Sequence, residues 1–259
     1  MTYRRILLIV IGAVTFLQDV AAQDSWHATM AAIGASQTLD TYLSPEKYSG
    51  TEVRFLSQTH RHWRNHPQCS SQSSLMGAFL YAEQRAENSN EMGGMLTYDY
   101  AIRHTWQLKE NWYIEAGGQA ETAVGFLYNT RNTNNPAQAR AYLHIGPDVA
   151  TSWRFPLFRK HFTLRYEVAV PLLGVLFSPN YGQSYYEIFT RGNYDHNAVF
   201  TTPFNAPTLR HQLTVDIPIK KAALRVGYLG DYQQAEVNLL KYHTYSHLLL
   251  IGLVRPLYR

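Results

Sequence analysis

The chain is poor in cysteine, poor in charge and, beyond its first twenty residues, without any long apolar run. Cys69 is the single cysteine among 259 residues, which excludes an internal disulfide framework and any multi-cysteine metal site. Charged residues make up 16% and the formal net charge is +4, too small and too dispersed for a nucleic-acid binder. No later segment approaches the roughly 18 apolar residues of a membrane-crossing helix, so a polytopic helical membrane protein is excluded. No phosphate loop or dinucleotide fingerprint follows any expected strand, and no cofactor is implied. What is abundant is apolar and aromatic: 46% hydrophobic and 14% aromatic residues, with 19 Tyr against 5 Trp and 11 Phe. The mean hydropathy is −0.28. That composition excludes disorder, and the length suits one large domain or two small ones.

The N-terminus reads as an export signal. Arg4 and Arg5 form a basic start, Ile6 to Leu17 an apolar stretch too short to span a bilayer, and Val20-Ala21-Ala22 a small-residue cleavage site. Residues 1–22 are therefore expected to be a signal peptide and residues 23–259 the mature domain. No cysteine near the cut offers a lipid anchor, so the destination is the envelope or exterior of a diderm bacterium.

Past the signal the hydrophobic period is two rather than 3.6. Phe162, Leu164, Tyr166, Val168, Val170 and Leu172 alternate with Thr163, Arg165, Glu167, Ala169 and Pro171; Leu209, His211, Leu213, Val215, Ile217 and Ile219 alternate with Arg210, Gln212, Thr214, Asp216 and Pro218. The same pattern sets Leu224, Val226, Tyr228 and Tyr232 against Arg225, Gly227, Asp231 and Gln233, and it recurs from Ala139 to Phe155, from Leu96 to Gln107 and from Trp112 to Phe126. The first three strands, Trp26 to Ser36, Gly50 to His62 and Ser73 to Arg85, alternate less cleanly.

Long strands with one apolar and one charged face fit a soluble sandwich or a membrane barrel with a polar interior. The connections favour the barrel. Tight ones at Lys109-Glu110-Asn111, Leu157 to Lys160 and Lys220-Lys221 alternate with longer ones near Glu87 to Met92, Thr130 to Ala137, Ser178 to Ala206 and Gln234 to Tyr242. The expected fold is all-β: a transmembrane antiparallel up-and-down barrel of about ten strands in a bacterial outer membrane, both termini periplasmic. Trp26, Trp63, Trp106, Trp112 and Trp153 then fall at the periplasmic end as an aromatic girdle. In the last strand Leu248, Leu250, Gly252, Val254 and Tyr258 form a charge-free face, suited to a terminal recognition segment, with Arg255 on the other face and Arg259 following.

Tyr42-Leu43-Ser44-Pro45 with Tyr48-Ser49-Gly50, and the tyrosine-rich run from Phe177-Ser178-Pro179-Asn180-Tyr181 to Tyr185-Tyr186-Glu187-Ile188-Phe189, resemble an uncharacterised domain-of-unknown-function family of Bacteroidota-type outer-membrane β-barrel proteins. The resemblance covers the mature chain and implies an exported barrel. It brings no activity and no catalytic residue.

Chemistry is therefore sought in the residues. The inward faces carry Arg54, Arg103, Arg140, Arg154, Arg165, Arg210 and Arg225 with Asp99, Glu115, Glu121, Asp148, Glu167, Asp216 and Asp231. Charges crowded into so narrow a barrel are expected to close it as a network, with Arg165, Glu167, Arg210, Asp216, Arg225 and Asp231 pairing across consecutive strands. The segment from Ser178 to Ala206 holds Tyr181, Tyr185, Tyr186, Phe189, Tyr194 and Phe200. The first four are expected to pack inward over the mouth, leaving Tyr194 and Phe200 toward a glycan, lipid or protein ligand. Ser184, Glu187, Asp195 and His196 in the same segment are the residue types of a Ser/His/acid hydrolase, without a G-x-S-x-G elbow. His60, His62 and His66 could offer metal ligands, but beside Arg61 and Arg64 an interfacial role is the commoner one, and no metal site is assigned. The functional expectation is a structural or binding barrel with working external loops. A rim lipid hydrolase or protease and a narrow solute channel are the alternatives; outer-membrane lipids and the barrel-assembly machinery are the implied partners.

Overall fold

Alternation of side chains across an extended backbone buries one face and exposes the other, and here each alternating segment joins one closed sheet. The computed structural model describes residues 25–257, so the export-signal segment, Tyr258 and Arg259 lie outside the described residues. In chain order the elements are β1 (Trp26–Asp40), β2 (Ser44–His62), β3 (Cys69–Gln84), β4 (Asn90–Lys109), β5 (Trp112–Asn129), β6 (Ala137–Leu157), β7 (Lys160–Ala169), β8 (Leu173–Phe177), α1 (Tyr185–Phe189), β9 (Ala198–Thr201), β10 (Leu209–Ile219), β11 (Ala222–Val237) and β12 (Leu240–Pro256). All pairings are antiparallel, and β12 returns to β1 with Leu248 opposite Gly34, which closes the ring.

β7 and β8 are two halves of one strand, both paired with β6. They are separated where Pro171 faces Gly146 beside Pro147, and two prolines remove two ladder donors. Gly146 admits that bend because a Cβ there would lie 2.1 Å from the Val170 carbonyl oxygen. β9 on β8 and β10 on β7 likewise form one interrupted strand. The result is a closed ten-strand antiparallel barrel.

One end, here the terminal end, carries both described termini and the turns at 63–68, 110–111, 158–159 and 220–221. The other, the loop end, carries 41–43, 85–89, 130–136, the segment 178–208 and 238–239. Two expectations change. Gln234 to Tyr242 is not a long loop: strand runs to Val237 and a two-residue turn of Asn238 and Leu239, at φ 53° and 62°, reverses it. β1 to β3 also extend past the expected bounds, because their small polar residues such as Ser36, Thr38 and Ser70 are buried lumen residues rather than loop.

The outer wall is apolar, with Leu213, Ile145, Leu143, Val124 and Phe55 exposed. On β12 the charge-free face turns to the lumen. Leu248, Leu250 and Val254 point inward and join Ala28, Met30, Ala32, Leu56, Met76 and Leu229 in an apolar lumen cluster, while Leu249, Ile251 and Leu253 face out. Both faces of this strand are apolar, so alternation could not orient it. Trp106, Trp112 and Trp153 do sit outward at the terminal end, and Trp112 donates to Thr151 Oγ1 at 2.8 Å. Trp26 does not: it turns into the lumen, stacked on His60 with centroids 5.4 Å apart.

Replacing Leu213 by Arg should cost about 2–4 kcal/mol in reversible unfolding from lipid vesicles, as a charge on the lipid face near the midplane does. An equal cost for Leu213→Arg and Leu213→Ala would mean that this face is wet.

Candidate functional site

The inward residues build a stack of ion pairs. Nearest the terminal end, Arg225 grips Asp216 through two hydrogen bonds of 2.7 and 2.8 Å and lies over the Trp26 ring at 4.3 Å. Glu115 accepts from Arg165 at 2.7 Å and from Ser70 at 3.1 Å, and its Oε1 lies 2.9 Å from His60 Nε2. Arg165 also bonds Glu167, and Arg103 bonds Asp148. Gln72 ties these together, donating to Glu167 at 2.9 Å and accepting from Arg103 at 3.1 Å. At mid-height Arg54 joins Glu52 at 2.5 Å and Asp231 at 2.6 Å, while Arg210 joins Glu121 at 2.6 Å and Asp231 at 3.4 Å. Tyr142 donates to Glu121 at 2.8 Å. Toward the loop end Arg140 reaches Asp40 at 3.3 Å and Thr244 at 2.9 Å.

Arg165, Glu167, Arg210, Asp216, Arg225 and Asp231 all make ion pairs, but not all across neighbouring strands. Asp216 faces Arg225, and Arg210 faces Asp231, in the β10–β11 register. Arg165 and Glu167 pair along one strand, and Arg165 and Arg210 also reach past their neighbouring strands to Glu115 and Glu121 on β5. Glu52 was not among the inward charges read from the sequence. Its place, two residues before Arg54 on the same face, was the available signal.

A cap closes the loop end. Ser184 caps α1, accepting from the Glu187 N–H while the Glu187 carboxylate accepts from the Ser184 N–H at 2.7 Å. Those bonds hold the Glu187 carboxyl below the usual carboxylate range. Ile188 is fully buried, with Gln183 and Asn197 beside it. Tyr42 donates to the Gln183 carbonyl at 3.0 Å and meets the Tyr185 ring edge-on. The Tyr185 hydroxyl accepts from the Ala139 N–H at 2.6 Å and donates to Gln138 Oε1 at 2.7 Å. Burial, with Asp40 and Glu187 nearby, pushes the Tyr42 phenol up to about 12, and burial pushes Tyr185 in the same direction. The two tyrosine-containing motifs, far apart in sequence, thus meet as one seal.

Of the four aromatics expected to pack inward, only Tyr185 does. Tyr181, Tyr186 and Phe189 stay 72%, 58% and 63% exposed, and Tyr194 and Phe200 are equally open. The short helix turns Ile188 to the core, which leaves its neighbours facing out. Nor are the hydrolase residue types assembled. The Ser184 hydroxyl is engaged with Glu187, whereas His196 Nδ1 lies 2.6 Å from Asp195 in an exposed turn, and no Ser184–His196 bond exists among the described residues. His60 and His62 face the lumen rather than the interface, because they fall on the inward alternation of β2.

A family profile for a protein of unknown function, DUF3316, matches residues 6–259. The chain belongs to the DUF3316 family. No curated protein matches it. Among solved structures, this DUF3316 chain is similar to the outer membrane protease OmpT from Escherichia coli, at 6% identity with a TM-score of 0.51, over 94% of this chain and 100% of that one. It is also similar to the transport unit of the autotransporter AIDA-I from Escherichia coli, at 9% identity, TM-score 0.49 and 97% coverage of both chains. The COG4313 outer membrane channel from Pseudomonas putida F1 follows at 10% identity, TM-score 0.45 and coverage of 94% and 98%. Likeness at such identity concerns fold alone: the DUF3316 chain has the fold of outer-membrane β-barrels. The match says nothing of the Bacteroidota origin implied by the resemblance.

In this DUF3316 barrel Arg225→Met should cost about 3–5 kcal/mol by stranding the Asp216 carboxylate, and Arg225→Met with Asp216→Leu should recover most of the loss. Additive costs in chemical unfolding would show that the two charges are solvated separately.

Proposed function

We propose that this protein is an outer-membrane binding barrel whose sealed lumen is scaffolding and whose loop-end surface engages a glycan outside the cell. In this reading the signal peptide directs export, the assembly machinery inserts the barrel with both termini in the periplasm, and outer-membrane lipids bathe the wall. The observation that carries it is the exposed, firmly mounted aromatic surface of the segment 178–208. Tyr181, Tyr186, Phe189, Tyr194, Phe200 and Phe204 are all more than half exposed. Their backbone is held by the buried Ile188 and by Asn238, which donates to the carbonyls of Ser178 at 3.1 Å and His196 at 2.9 Å. Rings on a rigid frame, interleaved with Asn180, Asn193 and Arg191, supply both the stacking faces and the hydrogen bonds that a sugar needs. Binding energy then goes into contact rather than into ordering the loop. The hydrolase reading loses support because Ser184 and His196 are committed to different partners. The channel reading loses support because side chains fill the lumen through its height.

Glycan-array and lipopolysaccharide binding by the purified barrel should fall at least about tenfold when Tyr186, Phe189 and Tyr194 are replaced together by Ser, a loss of about 1.4 kcal/mol. Asp195→Asn, which breaks the pair with His196 and leaves the Ser184 cap in place, should bind as wild type. Equal binding by the triple variant, or hydrolysis that disappears with Ser184→Ala, would overturn this reading.

A further inference from the structure

We propose that His60, His62 and Glu115 form a binding site for one divalent transition-metal ion, zinc by ligand type, that ties β2 to β5 inside the terminal end of the barrel. His60 and His62 lie two apart on β2 and so share its inward face, and Glu115 enters from β5. All three are buried, and one ligand atom from each lies within 4.8 Å of the others, the one such cluster among the described residues. His60 Nε2 and Glu115 Oε1 are 2.9 Å apart. Two ligands on a tetrahedral zinc, with bonds of about 2.0–2.1 Å, stand only slightly further apart.

The surroundings are arranged as a metal site requires. His62 Nδ1 lies 3.2 Å from the Pro67 carbonyl oxygen, which can only accept, so Nδ1 carries the proton and Nε2 keeps its lone pair. Arg165 holds Glu115 Oε2 at 2.7 Å, while Oε1 faces His60 and also accepts from Ser70 at 3.1 Å. His60 Nδ1 has no hydrogen-bond partner, so the imidazole is not pinned from behind and can turn in its stack on Trp26 to aim at an ion. The local charges are Arg103 and Arg165 against Glu115, Glu167 and Asp148. Each of these three acids pairs with an arginine, and the two arginines are shared among them. Two imidazoles and one carboxylate favour zinc over calcium or magnesium, which prefer all-oxygen shells. A cavity of about 300 Å³ at the terminal end reaches Trp26 and Arg165, the residues that touch His60 and Glu115. Because the ligands come together only in the closed barrel, the ion's binding energy adds to folding stability. The site is independent of the glycan reading.

The test uses the full mature chain in detergent, stripped with a chelator and titrated with zinc by calorimetry. One zinc per chain and a rise in unfolding temperature are expected. His62→Gln should weaken binding at least about tenfold. Joint replacement of the outward-facing His211 and His247 by Gln should leave it unchanged. X-ray absorption on the wild-type protein should show imidazole backscattering with nitrogen or oxygen at about 2.0–2.1 Å, a readout that needs no variant to fold. Absence of stoichiometric zinc uptake by the wild type, undiminished binding by a folded His62→Gln barrel, or a zinc shell without imidazole would overturn the proposal.

Discussion

Inside a ten-strand barrel a charged side chain can meet only another side chain, and the pairing of buried charges is the constraint on which the rest of this structure depends. Moving a guanidinium or carboxylate out of water costs several kcal/mol, so each must find partners or be replaced by apolar filling. Both solutions occur. Leu, Met and Ala of β12, β1, β2, β3 and β11 fill one part of the lumen, while arginines and carboxylates of β4 to β7 and β10, with Glu52 and Arg54 of β2 and Arg225 and Asp231 of β11, fill the rest. Arg54, Arg103, Arg165 and Arg210 each touch more than one acid, so their pairs form linked clusters, with Arg225–Asp216 toward the terminal end and Arg140–Asp40 toward the loop end as separate bridges.

A filled lumen moves function to the ends. The loop end is finished by Tyr42, Tyr185, Gln183 and Ile188, whose bonds fix the segment 178–208 against the rim. Once fixed, its remaining aromatics have no interior to enter, which is why they stand exposed. The terminal end is finished differently, by Trp26 lying between Arg225 and His60, which places a cation–π contact and an imidazole stack where the lumen opens.

Strands with one apolar and one charged face were legible in the sequence. The facing of Leu213, Val226, Ile145 and Val124 out, and of Arg210, Arg225, His144 and Glu121 in, follows from alternation alone. Alternation assigns no face where the two faces are alike. Leu248 and Leu249 cannot be told apart by hydropathy, and the serines and threonines of β1 and β3 resemble turn residues until the polar lumen around them is known. The β5 partners of Arg165 and Arg210, 50 and 89 residues away, depend on barrel closure and register, which no local pattern encodes. In the cap, the richness in aromatic residues was legible. Which ring turns inward was not, since that depends on a five-residue helix whose N-cap, Ser184, sets the phase of Ile188.

Single-barrel conductance in a planar lipid bilayer tests the sealed lumen most directly. Wild-type protein inserted at neutral pH should give no resolvable ion-conducting steps, because paired side chains and the loop-end cap occupy the path. Stable unitary conductance from the intact, correctly folded wild-type chain would contradict a sealed lumen and would make the barrel a channel.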